Sequence, residues 1–165
     1  MCYYITGLQV RIMADELPPM NLKAIGIVRN EVKEKPPNVR DWWAEVVSEI
    51  VVDDSLTEAL NGLEEFSHII VLYWMHRLTG SEVPLKVHPR GNQELPLLGL
   101  FAVRTPNRPN RIGKATVRLL QRRGNILKVK GLDALDGSPV IDIKPYIPGY
   151  DSVTDGEVPQ WIANQ

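Results

Sequence analysis

The sequence is poor in cysteine: one residue, Cys2, in 165. A single thiol excludes a disulfide within the chain and fits a reducing compartment. Long apolar runs are missing too, and none reaches the roughly 18 residues that a membrane-spanning helix needs. Arg11, Asp15 and Glu16 break up the start of the chain, so it lacks the basic-then-apolar order of a secretory leader. Together these features predict a soluble cytoplasmic protein with no membrane partner. No Gly-x-Gly-x-x-Gly occurs and no strand–helix–strand alternation is visible, which argues against a doubly wound nucleotide-binding sheet. No Gly-x-Ser-x-Gly elbow occurs, so a hydrolase of that type is not expected. The three histidines, His68, His76 and His88, are not at metal-ligand spacing and no cysteine joins them, so no metal is expected.

What the chain does hold is ordinary in amount and uneven in place. Its length suits one domain with a real core, expected at 21–150, between a loose arm at 1–20 and an irregular tail at 151–165. The net charge is −1. Residues 84–131 nevertheless carry eleven Lys and Arg against one acid, Glu94, while the rest holds eight Lys and Arg against nineteen acids. A locally basic stretch is what a polyanionic partner requires. Alternatively, these charges pair with acids elsewhere on the surface.

Short apolar runs separated by turn signals dominate the middle of the chain. Strands are predicted over 22–30, 43–52, 67–75, 97–103, 115–121, 126–132 and 140–144. Those at 67–75 and 97–103 read as buried on both faces. Gly124-Asn125 makes a hairpin of 115–121 and 126–132, and in 140–144 Asp142 and Lys144 share one face. Ser55-Leu56-Thr57-Glu58 has the form of a capping box, which predicts a short helix after it. The strands and turns predict a mainly β fold of about six to seven mostly antiparallel strands with one or two peripheral helices, either a sandwich or a small closed or partly open barrel.

Two segments stand out chemically. Arg104-Thr105-Pro106-Asn107-Arg108-Pro109-Asn110-Arg111 follows a predicted strand. Its prolines stiffen the loop and its guanidinium groups suit carboxylate or phosphate. The other reading is a structural loop whose arginines pair with nearby acids. The second segment, 131–146, places Asp133, Asp136 and Asp142 around an Asp136-Gly137 turn. Such carboxylates hold a ribose or cation, or orient a nitrogen nucleophile. Otherwise Asp136 only makes its turn and Asp142 pairs with Lys144 or an arginine. His76, at a predicted strand end, is a ligand contact or a polar terminus.

Phe66-Ser67-His68-Ile69-Ile70-Val71-Leu72, the stretch from Gly99 to Asn110 and the stretch from Leu132 to Tyr146 resemble the three signature segments of the TsaA/YaeB-like family. Ile25-Gly26-Ile27-Val28 and Lys33-Glu34-Lys35-Pro36 resemble its opening strand and loop. The resemblance runs in unbroken order over about 22–152. It implies a β-barrel enzyme, usually a homodimer, that binds S-adenosylmethionine near the subunit interface and methylates N6 of threonylcarbamoyl-adenosine beside the tRNA anticodon. It places cofactor contacts on His76, Arg77, Arg104, Lys114 (in the turn after Gly113), Asp133, Ala134, Leu135 and Asp136, with 37–39 as a further contributor. Asp136 and Asp142 are the candidates for activating the nitrogen. The tRNA anticodon stem-loop would meet Arg108, Asn110, Arg111, Arg122 and Arg123, with Trp42 or Tyr146 available to stack on a base. The chain departs from the family pattern at Val103-Arg104-Thr105, where Thr-Arg-Ser is common, and at Arg111, where proline is common. Two rivals remain: an RNA-binding barrel without catalysis, and a methyltransferase of a small molecule.

Overall fold

Alternation of apolar and polar residues sets the inward faces of the strands. In the computed structural model, which describes residues 17–36, 41–78 and 82–163, β2 (Val47–Val52) turns Ser48, Ile50 and Val52 inward. β7 (Ile126–Lys130) turns in Leu127 and Val129, and β3 (His68–Trp74) turns in Ile69, Val71 and Tyr73. With β1 (Gly26–Arg29), β6 (Ile112–Arg123) and β8 (Pro139–Pro145) they close a barrel in the order β1-β2-β7-β6-β3-β8. Every neighbouring pair is antiparallel. Closure removes the unpaired edges that an open sheet would leave. The mainly β barrel expected from the sequence is the observed fold. A separate two-stranded ribbon, β4 (Lys86–Val87) and β5 (Leu98–Gly99), lies in the long excursion between β3 and β6.

Several elements differ from their predicted extents. β1 begins only at Gly26, and Leu22 before it is 60% exposed, because no partner strand extends to cover it. β2 begins at Val47, since 41–45 is a turn in which Asp41 O accepts from Ala44 N. The run 97–103 is not a buried strand. Only Leu98–Gly99 pairs, a 3-10 turn follows at Leu100–Ala102, and Phe101 is solvent-exposed. The helix after Ser55 is a 3-10 helix, Asp54–Leu60. Its cap is Asp53, whose carboxylate accepts from both Ser55 N and Ser55 Oγ, so Ser55 donates where a capping box would have it accept. That leaves α1 (Pro148–Asp151) and α2 (Gln160–Ala163), four residues each, in the tail. The 124–125 turn forms as read, between longer strands.

The antiparallel order sends β1, β7 and β3 toward one end of the barrel, where β2, β6 and β8 begin. This end, here the rim, collects three connections: 30–46, 75–111 and 131–138. The opposite end carries 53–67, the β6–β7 turn and the tail.

Candidate functional site

The arginine segment and the acidic turn meet at the rim. Tyr73, near the end of β3, points into the barrel mouth and is 4% exposed. Its hydroxyl donates to the backbone oxygen of Asp133. The ring lies directly over Gly113 at the start of β6, where a methyl group would collide with it. Burial, and then the Asp133 charge, push the Tyr73 phenol well above its usual range, while the Arg104 guanidinium pulls it back. Arg104 therefore stands within electrostatic reach of both Tyr73 and Asp133. Crowding by neighbouring groups partly desolvates the Asp133 carboxyl and raises it, although the residue as a whole is exposed, which keeps the effect modest; Lys35 and Arg104 oppose the shift and Asp41 adds to it.

The turn is anchored on its other side by the segment after β1. Asp136 Oδ1 accepts from Asn30 N at 3.2 Å, and Asp136 N donates to Val32 O at 2.8 Å. Gly137, at a φ of 80°, donates to Val28 O at 2.9 Å. Only a residue without a side chain takes that conformation cheaply. His76 Nε2 approaches the same turn, 3.8 Å from where a Gly137 Cβ would stand. Arg77 Nη1 donates to Lys33 O at 2.5 Å, tying the β3 end to the 31–36 loop. Ala134 is 2% exposed and its carbonyl accepts from Asn30 Nδ2; Leu135 O accepts from Ser138 N and closes the turn. His76, Arg77, Arg104 and 133–136 are thus brought together.

Lys114 and Asp142 are not in that group. Lys114 lies within β6, not in a turn, and its ammonium donates to Thr116 Oγ1 at 3.1 Å. It pairs across β3 through Leu72 with Asp142, which forms an ion pair with Lys144 at 2.8 Å. Both face the outer wall. Arg108 donates to Val103 O at 2.8 Å and its guanidinium lies 5.4 Å from the centre of the Phe101 ring. Asn110 is exposed and Arg111 half-buried; Arg111 O accepts from Met75 N. Arg122 and Arg123 lie at the opposite end. Arg122 donates to Glu64, Asn61, Thr57 O and Gly124 O, so its fork is spent on the protein; Arg123 is exposed. Trp42 is half-buried in the 41–45 turn, and Tyr146 packs edge-on against His68 far from the rim. Residues 37–39 lie outside the described residues. Among the described residues no cluster of three or more His, Cys, Asp or Glu could hold a metal ion, and no helix is long and apolar enough to cross a membrane.

Sequence reasoning missed Asn30, Ser48 and Tyr73. One signal was present: Ser48 interrupts an otherwise apolar inward face, and a buried hydroxyl requires a partner.

Fold and rim together define a class, a closed antiparallel barrel whose polar chemistry is gathered in the connections at one end. The chain belongs to the tRNA-methyltransferase O N-terminal domain family, whose pattern it matches over residues 29–152. An Archaeoglobus fulgidus protein named S-adenosyl-L-methionine-binding protein is 45% identical over 139 residues, covering 84% of this chain and 97% of that one. Mouse tRNA (adenine(37)-N6)-methyltransferase is 43% identical over 95 residues, covering 57% of this chain and 22% of its own. The crystal structure of TrmO from Pseudomonas aeruginosa is similar with a TM-score of 0.67 and 32% identity, over 85% of this chain and 62% of that chain. This chain spans only 37% of a second Archaeoglobus fulgidus relative, a probable S-adenosyl-L-methionine-binding protein.

Proposed function

We propose that this protein is an S-adenosylmethionine-dependent methyltransferase acting on N6 of threonylcarbamoyl-adenosine next to the tRNA anticodon, in a reducing, cytoplasmic setting. The observation that carries the reading is the convergence of Arg104, His76 and the 133–136 turn on the mouth of the barrel. The donor set suits the cofactor. A guanidinium fork matches its carboxylate, a carboxylate turn suits ribose hydroxyls, and the turn's backbone can read an adenine edge. When bound, the cofactor supplies an electrophilic methyl group on sulfur.

The residues of the chain then bind, align and move a proton. Arg104 would hold the carboxylate end, and His76 with 133–135 would fix the nucleoside end. Alignment of two bound reactants contributes as much as about 7–11 kcal/mol in favourable cases. The N6 nitrogen lies in a urea-like group whose lone pair is delocalised, so its proton would have to be accepted as the methyl carbon exchanges its bond to sulfur for one to nitrogen, leaving the sulfur as a neutral thioether. We assign that acceptor to Asp136, at the rim, because Asp142 is engaged with Lys144 on the outer wall. Arg108, Asn110 and Arg111, in the loop beside Arg104, are the proposed phosphate contacts.

A homodimer is part of the proposal. Leu85 and Phe101 are 84% and 77% exposed beside an apolar cavity of about 410 Å³ that they line with Val83, Leu100 and Pro109. An exposed apolar surface of this kind favours a protein partner, and the family resemblance makes it a second copy.

The test is mass spectrometry of nucleosides from tRNA incubated with the protein and S-adenosylmethionine. The expected result is a threonylcarbamoyl-adenosine peak one methyl group heavier. An unchanged peak with active cofactor binding would leave the small-molecule reading in its place.

A further inference from the structure

We infer that Asn30 is a positioning residue of the rim, which together with the Tyr73 hydroxyl on Asp133 O locks the 133–137 turn to the barrel wall so that Asp136 and the turn's backbone are held ready for ligand. The inference rests on the proposed function for its ligand, and on hydrogen bonding alone for its geometry.

Asn30 directly follows β1. Its side-chain nitrogen donates to Ser48 Oγ at 2.9 Å and to Ala134 O at 3.0 Å, and its side-chain oxygen accepts from Val32 N at 3.0 Å. Its backbone nitrogen donates to Asp136 Oδ1 at 3.2 Å. A primary amide has two N–H donors and one carbonyl acceptor, and here each has a partner. Ser48 is 1% exposed and Ala134 2% exposed, so water cannot replace the amide at either. The remaining ties between the turn and 28–32, Asp136 N to Val32 O and Gly137 N to Val28 O, are backbone contacts. Among the described residues, Asn30 provides the side-chain link from the turn through Ser48 into β2. It also leaves only one oxygen of Asp136 uncommitted to its backbone, which aims that carboxylate. An aspartate in its place would have the same shape but would set an oxygen against the Ala134 carbonyl.

The test compares Asn30→Ala with Ser48→Ala, which loses a buried hydrogen bond of the same network but leaves the amide on Ala134 O. Two quantities are read on the folded proteins: amide hydrogen exchange in the absence of ligand, and the affinity for S-adenosylmethionine by calorimetry. In Asn30→Ala the Asp136 and Gly137 amides should exchange about tenfold faster relative to the barrel strands, and the cofactor should bind about tenfold more weakly, the scale of one unsatisfied buried group. Ser48→Ala should lose global stability while both quantities stay near wild type. If Asn30→Ala does not fold, Asn30→Asp replaces it with the same expected result. Unchanged exchange at Asp136 and Gly137, or equal losses in both variants that follow global stability, would overturn the inference. Should the wild-type protein bind no cofactor, the proposed function fails, while the exchange data still decide whether Asn30 locks the turn.

Discussion

Asp133 shows how the rim works at the scale of one residue. Its carboxyl is raised above the ordinary value of 3.8, chiefly by partial desolvation, so the folded chain holds that proton more tightly than the unfolded chain does. By linkage, the associated stability is fully present below pH 3.8 and is lost as pH rises through the higher folded value. At neutral pH the ionised side chain is therefore a cost to folding. Asp133→Asn should unfold at a higher temperature than wild type at pH 7, with the gain disappearing below about pH 3.8 in thermal scans at several pH values. Arg104 and the acidic turn stood out in the sequence as candidates because runs of arginine, proline and aspartate are unusual. Asn30 and Tyr73 were not, since one amide or one phenol carries no pattern until the fold shows what lies within 3 Å of it.

Elements held by local signals were read well. The hairpin at 124–125 follows from residues close in sequence, whereas the strict alternation expected over 140–144 is broken by a bulge that turns Val140 into the core while Asp142 faces out. Leu97 to Val103 misled because an apolar run says only that something covers it; here Leu97 and Phe101 face outward from a loop. The 3-10 helix Asp54–Leu60 is held by a distant residue. Arg122, with a side chain only 14% exposed, ties Thr57 O and Asn61 to Glu64. Arg122→Ala should destabilise the protein by roughly 1.5–3 kcal/mol, as expected when charge-assisted hydrogen bonds are removed from a poorly exposed site. Thermal unfolding would show it, and cofactor affinity should stay near wild type because the clamp is at the end opposite the rim.

For the whole molecule, short strands and turn signals were enough to announce a mainly β sandwich or barrel, and the family resemblance pointed to the barrel. Strand order was not legible, because β2 beside β7 and β3 beside β8 depend on pairings between residues far apart in the chain. The basic stretch 84–131 also changes meaning in three dimensions. It begins in the rim excursion with Lys86, Arg90, Arg104, Arg108 and Arg111, runs down the outer wall through Lys114 and Arg118 to Arg122, which is committed to the protein, and returns along β7 with Lys128 and Lys130. A contiguous basic sequence is thus divided among rim, wall and far end, and the rim portion is the part beside the proposed site.

The most direct measurement is a calorimetric titration of S-adenosylmethionine into the wild-type protein and into Arg104→Ala. Saturable binding by wild type is predicted, with a loss of roughly 1.5–3 kcal/mol in the variant, the scale of a charged hydrogen-bonded pair. No heat at millimolar cofactor, or wild-type affinity without the guanidinium, would contradict the account.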